Sequence, residues 1–112
     1  MKNARKKGIG YELQIRKELR KYYYPDCETS RYASKYIDDV EKRDLIKTGF
    51  LGIQIKALER TPPYHDILSE MPDDDKYNVI FHKRNYKGEV VVMKKEDFYE
   101  LLDIMLAHGV KI

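Results

Sequence analysis

Between Phe50 and Leu58 the chain reads FLGIQIKAL, and no other segment restricts the available folds as much. Side chains alternate across a strand, so Ile53 and Ile55 point to one face while Gly52, Gln54 and Lys56 share the other. The alternation of β-branched residues with other types, just after the turn signal Thr48-Gly49, predicts a strand here. Its apolar face demands a covering layer. Its polar face has two explanations: an edge strand that carries lysine to discourage pairing with another chain, or a site that needs those groups.

The elements around this strand alternate in type. KGIGYELQIRKELRKYYY predicts a helix with Tyr11, Ile15, Leu19 and Tyr22 at helical spacing, ended by Pro25. CETSRYA reads as a short strand, Ser34 to Glu41 as a polar loop, and RDLIK as a second strand before the TG turn. TPPYHDILSEM predicts a turn followed by a short helix. KYNVIFHKR and EVVVMKK are strands around the hairpin turn NYKG, and an amphipathic helix follows, with Phe98, Leu101, Leu102 and Met105 on one face and Gly109 closing it. This order gives an α/β sandwich, a central mixed sheet flanked by helices.

The chain has 112 residues, enough for a single domain and one core. Hydrophobic residues make up 42% and charged residues 37%, a soluble globular composition. With no apolar run of bilayer length and no signal-like segment, the expected location is cytoplasmic, with no membrane partner and no small-molecule cofactor. Cys27 is the only cysteine, which excludes an intramolecular disulfide and any cysteine zinc site not shared between chains. His65, His82 and His108 show no ligand spacing and read as surface or satisfied histidines.

The formal net charge of +3 says less than its distribution. Lys2, Arg5, Lys6, Lys7, Arg16, Lys17, Arg20 and Lys21 crowd the start of the chain against Glu12 and Glu18, while acids gather in DDVE and MPDDD. Residues 1–7 are expected to form a basic, flexible arm. Such a face is either a solvated basic helix or a phosphate-facing surface. Glu12 lies within or beside the stripe of the first helix that should meet the sheet, where an unpaired carboxylate is costly. Arg16, one turn on, is one available partner. A divalent cation shared with Asp44 is the other.

The helix that opens KGxxxE, the segment TSRYAS, an Asp on one strand and QIK on the next together resemble the PD-(D/E)XK nuclease superfamily. Within it they are most similar to the Holliday junction resolvases of archaea, phages and their bacterial relatives. The resemblance runs from about Lys7 through VVMKKEDFYELL. It implies a restriction-endonuclease-like α/β sandwich and a magnesium site in which Glu12, Asp44 and Gln54 are ligands, Ile55 offers its backbone carbonyl, and Lys56 is the motif lysine. It also implies contacts to DNA from Lys6, Lys7, Arg16, Ser30, Arg31 and Ser34. Two departures stand out. Gln54 occupies the position commonly held by an acid, which removes one negative charge, and Arg43 rather than proline precedes Asp44. Asp38 and Asp39 are rival carboxylates; Asp44 is preferred because its strand directly precedes GIQIK.

The expected activity is magnesium-dependent hydrolysis of phosphodiesters in four-way DNA junctions, with manganese able to substitute. Two strands must be cut, so a homodimer is expected. Two alternatives remain at this point: another nuclease of the superfamily acting on branched or duplex DNA, and a junction-binding module that has lost catalysis.

Overall fold

The computed structural model describes residues 2–30 and 42–112, with side chains in the first helix from Lys6 onward. Helix α1 spans Lys2–Tyr22. Its Tyr11, Ile15 and Leu19, spaced by one helical turn, are all buried. Arg20 and Lys21 in its last turn complement the negative end of the helix dipole. The helix starts at Lys2, so the segment expected as a flexible arm is helical: Ala4 and the surrounding lysines and arginines are good helix formers.

Strands β1 (Glu28–Thr29), β2 (Leu45–Ile46), β3 (Leu51–Ala57), β4 (Tyr77–Arg84) and β5 (Gly88–Met93) form one sheet in that order. β3 and β4 run parallel, from Leu51↔Tyr77 to Ala57↔Lys83, and the other neighbours are antiparallel. The parallel pair requires a crossover, which contains the short helix α2 (Tyr64–Glu70). Helix α3 (Lys95–Ala107) follows the β4–β5 hairpin, and Gly109, at φ 81°, ends it.

Each face of the sheet has its own cluster. Ile53, Ile55, Ala57 and Val79 pack with Tyr11, Ile15 and Leu19 of α1, together with Cys27 and Leu45. On the opposite face Ile80 packs with Leu68 of α2 and Met71. The mixed sheet with helices on its faces is the α/β architecture expected. α3 departs from expectation. None of its residues is buried, and Phe98 and Met105, placed by the periodicity on one apolar face, are 48% and 45% exposed. β5 lies at the sheet edge, and α3 brings no buried residue against it. Among the described residues no helix is long and apolar enough to cross a membrane.

Candidate active site at the open edge of β3

β2 is paired with β3 only at Leu45↔Ile53, where the chain enters from a bend at Asp44. The Asp44 amide donates to the Ile53 carbonyl (2.7 Å), and the Ile55 amide donates to Oδ2 of Asp44 (2.6 Å). A carboxylate has therefore taken the acceptor position that a continuing strand would fill. From the other side, the Ser30 amide donates to the Asp44 carbonyl (2.9 Å), so β1 also holds this residue. The N–H and C=O of one strand residue project to the same side, so the Ile55 carbonyl faces the edge where Asp44 stands.

Gln54 sits one step along β3 and is half-buried. Its Oε1 is buried and receives no hydrogen bond. Buried oxygens almost always have a donor, and one that lacks it is well suited to a hard cation. Lys56, on the same face, is half-buried and has no ion-pair partner among the described residues. Its neighbour across β4 is His82, whose ring is fully engaged: Nε2 with the Leu58 carbonyl and Nδ1 with the Tyr64 hydroxyl, both at 2.8 Å. A carbonyl only accepts, so Nε2 carries a proton and Nδ1 can accept from the hydroxyl. His82 is thus a satisfied histidine, while His65 and His108 are exposed.

Glu12 is 8% exposed on α1. That helix covers the Ile53 and Ile55 face, whereas alternation turns Gln54 and Lys56 toward the other. Glu12 and the Gln54–Lys56 pair therefore belong to opposite faces of the sheet. Arg16 extends its Nη1 to Glu28 (2.8 Å), and Arg20 places Nη2 on the other oxygen (2.8 Å). The hydrogen bond from Arg16, with the Thr29 amide, holds the Glu28 carboxyl below the usual range. Arg16 therefore ties α1 to β1. Lys6 is exposed, and Lys7 pairs with Glu59 (2.5 Å). Arg31, Ser34, Asp38 and Asp39 lie outside the described residues.

The chemistry available is that of oxygen ligands beside the Lys56 ammonium, which has no ion-pair partner among the described residues. Among the described residues no three His, Cys, Asp or Glu side chains are grouped to hold a metal ion. A site built on Asp44, the Gln54 amide oxygen and the Ile55 carbonyl has a different donor set, one that fits magnesium by its oxygen character.

Sequence reasoning treated Arg43 only as a missing proline. In the structure it is a clamp beside the site: it bonds both oxygens of Asp74 (2.8 and 2.9 Å) and Oδ1 of Asn78 (2.8 Å). Gly52 makes room for it, since a Cβ there would lie 2.3 Å from Arg43 Nε and 2.5 Å from Asn78 Oδ1. The signal was a glycine in mid-strand, which marks a close approach. No family model, no curated protein and no solved structure matches the chain.

Proposed function

We propose that this chain is a metal-dependent, structure-selective endonuclease with a restriction-endonuclease-like fold, which resolves four-way DNA junctions by phosphodiester hydrolysis. The observation that carries the reading is the Asp44 carboxylate bonded to the Ile55 amide on β3, the strand that also carries the orphaned Gln54 oxygen and Lys56, which has no ion-pair partner among the described residues. Asp44, Gln54 Oε1 and the Ile55 carbonyl would hold magnesium or manganese, with Glu12 completing the shell directly or through water. When bound, the ion supplies Lewis acidity toward a phosphoryl oxygen and acidifies water. Lys56 orients the attacking water or neutralises charge that develops on the phosphoryl oxygens. Lys6 and Lys7, with Ser30, Arg31 and Ser34, contact the DNA backbone, and Arg16 supports that surface through its link to β1.

A second copy of the chain supplies the second cut. The uncovered stripe of α3 lies next to an apolar groove of about 680 Å³, lined by Tyr22, Tyr23, Phe81, Val91 and Leu101 among others. Stripe and groove on one chain are self-complementary under a twofold axis. Glu96, Asp97, Glu100 and Asp103 of α3 are opposite in charge to Lys17 and Lys21 of α1, the helix that carries Tyr22 of the groove.

The test is cleavage of a labelled four-way junction and its matched duplex, in magnesium or EDTA. Paired cuts across the branch are expected from wild type, and none from Asp44→Asn or Lys56→Ala, each still binding the junction. Equal cutting of the duplex would make this a different nuclease of the same superfamily. A second reading rests on Gln54, which leaves the site one carboxylate short: a binding module without catalysis. It requires tight junction binding in EDTA and no cleavage in either metal.

A further inference from the structure

Among the described residues Tyr86 has the highest relative exposure of the large hydrophobic side chains, 104%, and no aromatic or hydrogen-bond partner. It also occupies a left-handed backbone conformation, φ 61°, which is unfavourable for a bulky side chain. A hairpin turn needs asparagine or glycine at such a position, and neither stands at 86. Nothing among the described residues repays that choice.

The setting of the turn gives it a use. β4 and β3 are in register through Lys56↔His82 and Ala57↔Lys83, and the hairpin closes at Arg84↔Gly88. Tyr86 therefore lies at the same end of the sheet as Lys56, four residues past its register partner and at most about 13 Å beyond it at the rise of a strand. The turn is held in place: the Asn85 amide donates to Oε1 and Oε2 of Glu59 (3.2 and 3.1 Å), and Oε2 also accepts from Lys7 of α1 (2.5 Å). Glu59 thus joins the β3 exit, the hairpin tip and the first turns of α1. Arg84 and Lys87 flank the tyrosine in the chain, while Lys83 lies over the Tyr11 ring at 5.7 Å.

We infer that the β4–β5 hairpin is a DNA-contacting finger in which Tyr86 stacks on a base exposed at a branch point while its flanking cations hold the adjoining phosphates. An aromatic ring set among cations offers the two contacts that unpaired nucleic acid takes, a base-stacking platform and a backbone-tracking charge. In a continuous duplex the bases are already stacked, so only the cations are used. The inference rests on the nuclease reading for its substrate but not for its chemistry.

The test is binding in EDTA of a fluorescently labelled synthetic four-way junction and the matched linear duplex, over a range of salt. Tyr86→Ala is expected to weaken junction binding about tenfold, as the loss of one stacked base implies. It should change duplex binding less than twofold and leave the salt slope of the junction intact. Tyr86→Phe should bind like wild type, and Lys87→Ala should weaken both substrates and lower the salt slope by about one. Tyr86→Gly removes the backbone strain, so it should melt no lower than wild type and still lose junction preference. A Tyr86→Ala protein that binds the junction as wild type does, or a wild type with no preference for the junction, overturns the finger. If wild type prefers the junction through Tyr86 but never cuts it in magnesium or manganese, the finger stands and the nuclease reading falls.

Discussion

Gln54 and Gly52 share the polar face of β3, and each sets a different limit on it. On the proposed nuclease reading, Gln54 offers a cation a neutral oxygen where an acid would add a charge, which avoids carboxylate repulsion without metal but lowers the charge the cation would meet. Gln54→Glu is therefore expected to melt below wild type in EDTA and to gain more from magnesium, with metal affinity rising on the order of tenfold. Thermal unfolding across a magnesium titration reads this without any cleavage assay. At Gly52 the limit is steric. Gly52→Ala should lose about 1–3 kcal/mol in urea unfolding, because the guanidinium that must move is pinned by Asp74 and Asn78. The alternation in FLGIQIKAL was enough to assign Gln54 and Lys56 to one face, since that depends only on local geometry. The Arg43 clamp was not legible, because its partners lie more than thirty residues away in the chain.

At the scale of elements, the same clamp fastens the approach to β2 onto the crossover loop that leads into β4. The Asp74 carboxyl is held down to about 2, first by the hydrogen bonds from Arg43 and then by the Lys76 amide. A carboxyl with a lowered folded pKa contributes stability that is complete above its unfolded value, here 3.8, and is lost as pH falls toward 2. Wild type should therefore lose melting temperature between about pH 4 and pH 2 more steeply than Asp74→Asn, and a matched acid limb in both proteins would refute the clamp's role. Its magnitude is limited by solvent, because the Asp74 side chain is 39% exposed. The helices and the three longer strands were readable from periodicity. Among the described residues β1 and β2 cover two residues each; β2 begins only after the bend at Asp44, which has no local signature, and the end of CETSRYA lies outside the described residues. The first helix ran past its expected start because lysine and arginine suit a helix as well as an arm.

At the scale of the molecule, the amphipathic pattern of the last helix was legible but its destination was not. Periodicity says that a face will be covered and is silent about which chain covers it. Phe98, Tyr99, Ile104, Met105 and Leu106 are all close to half exposed, and with Val90 and Val91 of β5 they offer several hundred square ångströms of apolar surface. That is on the order of what one partner contributes to a standard interface, and more than monomers commonly leave to water. Sedimentation of the wild type should give twice the 13.4 kDa of one chain. The double variant Phe98→Glu, Met105→Glu should sediment as a monomer with an unchanged far-ultraviolet spectrum, because neither side chain supports the core of its own chain. On a junction, the monomer should nick one strand per encounter where the dimer cuts two. Loss of folding in the double variant would show instead that α3 packs within one chain, and the twofold arrangement would have to be sought on another face.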